Sequence, residues 1–341
     1  MEQSNSEVIT LAHGGGGRKT AELIERVFAR HFQNPDFTAD DAAVLQLSGT
    51  RVALTTDGFI VSPWQFPGGN IGKLAVCGTV NDLACMGTQP RYLTCAFQIE
   101  EGFPIAALDT IASSMEKTAR EAGVSLVAGD TKVAGRGQVD GLFITTTGLG
   151  ECLPGVRTSG ALAQPGDSII VTGDIGRHGC AILLARGNYG IEADITSDCA
   201  PLSGMVSDLF AALEDKSTVH TIRDATRGGV GTVLYEIAKE SNVGILLSEP
   251  SLPVAPAVHG LTGMLGLSPL YLACEGRLVI FCAPTAKDAV LAALHSSPYG
   301  SGATQIGVVT DDHHGQVVLT TELGTETLLP QPTGELLPRI C

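Results

Sequence analysis

The sequence has no long apolar segment: no window approaches the roughly 18 uncharged apolar residues that a membrane-spanning helix needs. Basic residues are also few, with 21 Lys and Arg against 36 Asp and Glu, which gives a formal net charge of −15. Nucleic-acid backbones and anionic membranes repel so acidic a chain, so we expect neither as its main partner. The first residues, MEQSNSEVIT, lack the basic and apolar regions of a signal peptide, and we therefore expect a cytoplasmic location.

Paired cysteine motifs are absent as well. None of the nine cysteines forms a C-x-x-C pair, and most lie in apolar segments, where free cysteine behaves as a small hydrophobe. We therefore expect neither a disulfide framework nor a structural zinc site. Cys341 differs because it is the last residue, in the ending PRIC. A thiol on a tether can be loaded at one site and processed at another, whereas a terminal cysteine without function is the alternative.

The remaining composition is that of a folded protein with two domains. Charged residues make up only 17% and hydrophobic residues 44% of the 341 residues, which excludes global disorder. A chain of this length suggests two domains, and the alternation of helical and strand patterns predicts an α+β fold. The predicted helices cover 18–32, 70–86, 104–122, 178–187, 202–215, 229–241 and 285–296. The predicted strands cover 51–57, 91–99, 124–128, 141–148, 168–172, 277–283, 304–310 and 316–320.

Glycine and proline suggest where the domains begin and end. The turn-rich stretch 150–166 favours a boundary near residue 155. We expect a first domain at 35–155 and a second, α+β domain at 156–327. A glycine-rich lid and a helix precede them at 1–34. Residues 328–341 carry three prolines and no periodicity, which predicts an extended, mobile tail outside both domains.

Aspartate recurs in five short segments, each time beside Gly, Ala or Thr. An Asp next to Gly often marks a turn or a helix cap. Five such segments together instead favour Mg²⁺ sites that bind a nucleotide, because Mg²⁺ prefers oxygen ligands and usually takes one or two carboxylates at each site. The candidate metal ligands are Asp41, Asp57, Asp82, Asp130 and Asp224, with Asp40 as the alternative to Asp41.

Three further features are candidates for binding or proton transfer. The run from His13 to Arg18 places four glycines before a helix, which is either a flexible linker or a lid over a phosphate. Lys132 and Glu275 are candidate acid–base groups, since a semi-buried Lys or Glu has a shifted pKa and can exchange protons near neutrality. A surface salt bridge is the alternative for each.

Seven motifs of the sequence together carry a family resemblance. They are DDAAV, TTDGF, GGNIGKLAVCGTVNDLACMG, AGDTKV, DATRGG, LACEG and the terminal PRIC. With these motifs the chain is similar to the HypE family of hydrogenase maturation proteins, in the superfamily of aminoimidazole ribonucleotide synthetase, thiamine monophosphate kinase and selenophosphate synthetase. Cys85 and Ala225 depart from the commonest forms of these motifs, but neither change removes a polar group.

The resemblance implies a specific reaction. A HypE protein receives a carbamoyl group on its C-terminal cysteine from HypF. It then uses ATP and Mg²⁺ to dehydrate that group to a thiocyanate, whose cyano group passes to iron on a HypC–HypD complex for the nickel–iron hydrogenase centre. The family is homodimeric, with paired N-terminal domains that form a central β-barrel near the ATP.

Transferred to this sequence, the resemblance assigns Cys341 as the carrier and Lys132 and Glu275 as the groups that handle protons. The same resemblance implies a nucleotide site, whose residues are Thr56, Asp57, Asn81, Asp82, Gly129, Asp130, Thr131, Asp224 and Arg227. Two other functions remain open. One is a kinase or synthetase of the superfamily that acts on a diffusible substrate, against which the PRIC ending argues. The other is a non-enzymatic thiol carrier, against which the aspartate segments argue.

Overall fold

The computed structural model describes residues 17–25, 40–331, 337 and 339–341. Helix α1 (Gly17–Leu23) is the described part of the helix expected at 18–32. The rest of the expected lid, from His13 to Gly16, lies outside the described residues. Within the part of the chain that the structure describes, no helix combines the length and the hydropathy needed to cross a membrane.

A five-stranded sheet organises the first half of the chain. Its order is β1-β2-β7-β5-β6, with β5 and β6 parallel and the other pairs antiparallel. Strand β6 therefore lies at an edge, and nearly all of its side chains are exposed in the single chain. The small strands β3 (Gln65–Phe66) and β4 (Gly69–Asn70) form a separate hairpin. The strands of the larger sheet are β1 (Ala43–Leu47), β2 (Thr50–Phe59), β5 (Thr88–Glu100), β6 (Ser125–Ala134) and β7 (Leu142–Cys152).

Two helices cover one side of this sheet. Helix α2 (Ile71–Cys85) begins at Asn70, whose side chain accepts the backbone N–H groups of Gly72 and Lys73. Almost every residue of α2 is buried, as in a helix packed on several sides. Helix α3 (Ile105–Ala122) packs beside α2 and ends at Gly123, which has a left-handed conformation.

A seven-stranded sheet organises the second half, in the order β14-β13-β10-β12-β8-β11-β9. Its central strands are apolar and fully buried, because helices pack against the sheet. The strands are β8 (Ser168–Val171), β9 (Val219–Asp224), β10 (Gly244–Ser248), β11 (Leu278–Cys282), β12 (Thr304–Thr310), β13 (Val317–Thr320) and β14 (Glu326–Leu328). The helices are α4 (Arg177–Ala185), α5 (Ser203–Ala212), α6 (Gly229–Glu240), α7 (Pro256–Leu265) and α8 (Lys287–His295).

The two halves share helix α2, which packs on the first sheet and also contacts β9 and α5 of the second half. The expected α+β class is confirmed, and each helix expected from 70 onward is present. The expectations missed β1, β3, β4, β9, β10, α7 and β14. The strand expected at 124–128 continues to Ala134, so the GDTK segment is part of a strand.

The C-terminal tail differs from the expectation. Residues 339–341 do not lie outside both domains: Ile340 is only 3% exposed and belongs to the core cluster of the first half. Residues 339–341 pack in a groove between the two halves. The prediction of a position outside the fold is therefore wrong for these residues.

Candidate active site

A pocket of about 190 Å³ lies where the two halves meet. Residues far apart in the sequence build it, including the last residue of the chain. Acidic side chains dominate its wall. The lining residues are Asp41, Asp57, Gly58, Phe59, Gly78, Asp82, Asp224, Thr226, Arg227, Glu275 and Cys341.

Three aspartates form the centre of the pocket. Asp41 lies just before β1, Asp82 in the last turn of α2, and Asp224 at the end of β9. One carboxylate oxygen of each lies within 4.8 Å of the others. Gly78 lets α2 approach the end of β2, since a Cβ there would lie 2.8 Å from the ring of Phe59.

Burial and mutual repulsion shift the pKa values of these carboxyls upward. Burial raises the pKa of Asp82 well above its ordinary value, and the charges of Asp57, Asp224 and Asp41 raise it further. Burial is also the main cause of the raised pKa values of Asp57 and Asp224, which Arg227 opposes. Without a cation, ionising all of these groups together is therefore unfavourable.

Arg223 holds Asp41 in place from behind the pocket. Its Nη1 atom lies 3.1 Å from Asp41 Oδ1, while its Nη2 atom lies 3.1 Å from Glu240. Burial raises the pKa of Asp41 to about 6, although Arg223 lowers it. Asp41 Oδ2 is buried and has no hydrogen-bond partner among the described residues. An orphan carboxylate oxygen beside two other carboxylates is an arrangement that suits a hard divalent cation.

Glu275 reaches the same pocket from a loop. The loop is fixed by Asp198, whose carboxylate accepts the N–H groups of Glu275 and Gly276. Gly276 is required there, because a Cβ would lie 1.9 Å from the Asp198 carbonyl oxygen. The Glu275 side chain is 2% exposed, and its Oε1 atom has no hydrogen-bond partner among the described residues. Burial, and then the neighbouring charges, raises the pKa of Glu275 well above its ordinary value.

Cys341 completes the pocket because the tail pairs with the chain that follows β2. Ile60 donates its N–H to the carbonyl of Cys341 at 2.9 Å, and Ser62 donates to that of Arg339 at 3.2 Å. The Arg186 guanidinium also donates to the Arg339 carbonyl, at 2.9 Å. These contacts place the terminal residue beside the carboxylates.

The expected residues on β6 lie elsewhere. Asp130 and Lys132 form an ion pair of 2.8 Å on the exposed edge strand, and Gly129 and Thr131 lie between exposed neighbours. The single chain therefore does not bring these residues to the pocket, contrary to expectation. The physical reason is that the GDTK segment continues strand β6 at the far edge of the sheet.

Two other residues expected to bind the nucleotide, Asn81 and Thr56, do not line the described pocket. Asn81 is buried, and its amide donates to the carbonyl of Ala200 and accepts the N–H of Leu202, so it joins the two halves. Thr56 donates to the Thr146 carbonyl and points away from the pocket side of β2. Neither side chain lines the described pocket, whereas Arg227 does.

Sequence reasoning missed Arg223. A charged residue inside the short strand VHTIRD was the available signal, since a buried arginine needs an acidic partner. Its partners Asp41 and Glu240 come from distant parts of the chain.

Comparisons with known proteins agree with this geometry. The model of the AIR synthase related protein N-terminal domain matches residues 39–152, and that of the C-terminal domain matches residues 164–320. The carbamoyl dehydratase HypE of Rhodobacter capsulatus is 46% identical over 338 residues, which cover 98% of each chain.

Solved structures give the same result. A HypE structure in complex with ATP has 44% identity and a TM-score of 0.81, with 98% of this chain and 100% of that chain covered. A HypE–HypF complex gives a TM-score of 0.86 at 44% identity, with 91% of this chain and 99% of that chain covered. The chain therefore belongs to the carbamoyl dehydratase HypE family of AIR synthase related proteins.

Proposed function

We propose that this protein is an ATP-dependent carbamoyl dehydratase that acts on its own C-terminal cysteine. The observation that supports this most strongly is the position of Cys341 in a pocket with four aspartates and Glu275. The net reaction converts the S-carbamoyl group, –S–C(O)NH₂, and ATP into the thiocyanate, –S–C≡N, with ADP and phosphate. The thiocyanate then supplies the cyanide ligand for the iron of a nickel–iron hydrogenase.

The chemistry explains why an acidic pocket is useful. An amide oxygen is a poor leaving group, and ATP supplies the phosphoryl group that makes it a better one. The nitrogen must lose two protons as the triple bond forms. Burial raises the pKa of Glu275, so its carboxylate is a stronger base than an exposed one and is suited to accept such a proton.

The aspartates suit a site for Mg²⁺ and nucleotide. Asp41, Asp82 and Asp224 would hold the cation, and Asp57 lies against Asp82. A bound cation would offset the repulsion between these carboxylates and would neutralise phosphate charge. Arg227 is the cationic side chain of the pocket wall that faces the same space.

A homodimer would complete the site. The open face and edge of the first sheet carry apolar side chains, with Val127 58% and Val133 68% exposed in the single chain. Pairing of two such sheets would bury them, as in the barrel expected for the family. We place Asp130 and Lys132 in the nucleotide site that this dimer forms, with Lys132 beside the reacting nitrogen.

Loading requires the tail to leave the pocket. Cys341 is half-buried in the pocket, and undocking of the tail would expose its thiol to a carbamoyl donor. We propose HypF as the donor, which the HypE–HypF complex of a relative supports. A HypC–HypD complex would be the acceptor of the cyano group.

Single-turnover ATP hydrolysis tests this function. We expect the chain with S-carbamoylated Cys341 to hydrolyse about one ATP per carbamoyl group in the presence of Mg²⁺, and the unloaded chain to hydrolyse almost none. The variant Cys341→Ser, treated with the same donor, is the control. Equal hydrolysis by loaded and unloaded protein would contradict the proposal, and stimulation by a diffusible substrate would favour a kinase.

A further inference from the structure

The groove between the two halves, in which residues 339–341 lie, contains a histidine that the proposed reaction does not use. His178, in the first turn of α4, is fully buried and packs edge-on against Phe66, with ring centroids 5.4 Å apart. Its Nε2 atom lies 2.8 Å from the carbonyl oxygen of Ile340. This contact is one residue away from the thiol.

The hydrogen bonds define the tautomer of His178. A carbonyl only accepts, so Nε2 carries the proton and donates to Ile340. Burial lowers the pKa of His178, which favours the neutral ring. Nδ1 then accepts the hydroxyl proton of Ser197 at 2.8 Å, and the Ser197 oxygen accepts the N–H of Cys199 at 3.0 Å. Ser197 therefore holds the ring on the side opposite the tail.

The two halves of the molecule hold the tail end from opposite sides. Ile60 of the first half binds the Cys341 carbonyl, whereas His178 of the second half binds the preceding carbonyl. The Ile340 side chain is buried between them. Together these contacts leave the last residue little freedom.

We propose that His178, oriented by Ser197, is a positioning residue that docks the tail and sets the Cys341 thiol at the carboxylate pocket. Its role in dehydration rests on the proposed function, whereas its role in docking does not. Loss of the His178 donor should have opposite effects on two steps. Loading becomes faster because the tail is undocked more often, and dehydration becomes slower because the reacting group is less often in the pocket.

Alkylation of Cys341 by iodoacetamide, followed by mass spectrometry of the full chain, tests docking. We expect His178→Leu to label about fivefold faster than the unmodified chain, since one buried hydrogen bond contributes on the order of that factor. His178→Gln keeps an N–H donor near the position of Nε2 and should label within about twofold of the unmodified chain. The control is His295→Leu, an exposed histidine whose Nε2 also lies 2.8 Å from a backbone carbonyl, that of Ala303.

Equal labelling of His178→Leu, His295→Leu and the unmodified chain would overturn the proposal. If His178→Leu does not fold, Ser197→Ala is the second variant, and it should also label faster because the ring loses its fixed orientation.

His178→Leu and Ser197→Ala, loaded with carbamoyl, should dehydrate more slowly, by up to about fivefold, while accepting the group at least as fast. A decrease of both rates would indicate a structural role alone and would contradict positioning. If no variant and no unmodified chain dehydrates, the proposed function fails, and the labelling result still decides whether His178 docks the tail.

Discussion

At the scale of single residues, the pocket concentrates buried carboxyls that repel one another. Asp82 has three other aspartates as neighbours, and burial is the main cause of its raised pKa. Such a buried carboxyl lowers the free energy of unfolding unless a cation is bound beside it. Function, and not stability, therefore explains why these carboxyls lie together.

The variant Asp82→Asn should separate the effect of this carboxyl on stability from its effect on nucleotide binding. The amide removes one charge at nearly constant volume, so we expect the metal-free protein to unfold about 2–4 °C higher, as for a gain of roughly 1 kcal/mol. Calorimetric titration should show that the same variant loses most of its affinity for Mg·ATP. Asp109→Asn, an exposed site on α3, should change neither property. Unaltered nucleotide affinity in Asp82→Asn would exclude Asp82 from the metal site.

Glu275→Gln tests proton transfer. The amide fills the same space but cannot accept a proton, so the dehydration rate should fall at least about 100-fold. Loading of Cys341 should continue, because in the proposed cycle the thiol accepts the carbamoyl group while the tail is undocked from the pocket. Mass spectrometry would detect a chain that stops at the carbamoyl stage. Glu214→Gln, at an exposed site, is the control, and rapid dehydration by Glu275→Gln would reduce Glu275 to a structural role.

At the scale of elements, the edge strand β6 combines residues proposed for the nucleotide site with exposed apolar side chains. It carries Asp130 and Lys132, yet it lies at the edge of the sheet with its apolar residues exposed. An unpaired apolar edge strand invites association. In the proposed dimer, a second copy of the chain would cover this edge.

Val127→Lys should therefore disrupt the proposed dimer. A charge at the centre of the contact is unpaired and buried on association, so sedimentation velocity should show mainly monomer. ATP-dependent dehydration should decrease with it if β6 completes the nucleotide site. Leu323→Lys, at a side chain 93% exposed near β14, is the matched control. A Val127→Lys protein that sediments as the unmodified protein does would contradict this interface.

The sequence predicted the elements with strong local signals. Helices α2 and α3 were predicted to within about one residue because Gly87 and Gly123 follow their ends. It did not predict β9, because His220 and Arg223 interrupt its apolar pattern and find their acidic partners only in the folded chain. The position of the tail depends on a groove built by both halves, which no local pattern reveals.

The candidate site also divides into features with a local sequence signal and features that only the folded chain creates. Aspartates at the ends of elements marked the pocket correctly for Asp41, Asp57, Asp82 and Asp224. The pattern did not separate these four from Asp130, because proximity along a sheet edge is a property of topology. Asn81, which the resemblance assigned to the nucleotide site, has an amide that joins two backbone segments in the single chain.

At the scale of the whole molecule, the acidic pocket links stability to pH and Mg²⁺. The pKa is about 6 for Asp41 and about 7 for Glu240, above their ordinary values of 3.8 and 4.5. These two carboxyls therefore bind more protons in the folded protein than in the unfolded chain between about pH 4 and pH 7. The free energy of unfolding should therefore decrease as the pH rises through this range.

Thermal unfolding at several pH values would measure this effect. Without a divalent cation, the midpoint should fall from pH 5 to pH 7.5. With Mg²⁺ the fall should be smaller, because the cation binds the ionised carboxylates of the folded state. Asp41→Asn should reduce both the pH dependence and the effect of Mg²⁺. A midpoint that rises with pH in the absence of Mg²⁺ would contradict the assignment.

The central claim is that Cys341 carries the group that this pocket dehydrates. The most direct test is the mass of the C-terminal peptide after a single turnover of the carbamoylated protein with Mg·ATP. The account predicts that the modified Cys341 loses the mass of one water and that Glu275→Gln retains the carbamoyl mass. A carbamoyl group that stays unchanged on Cys341 of the unmodified chain, while ATP is hydrolysed, would contradict it.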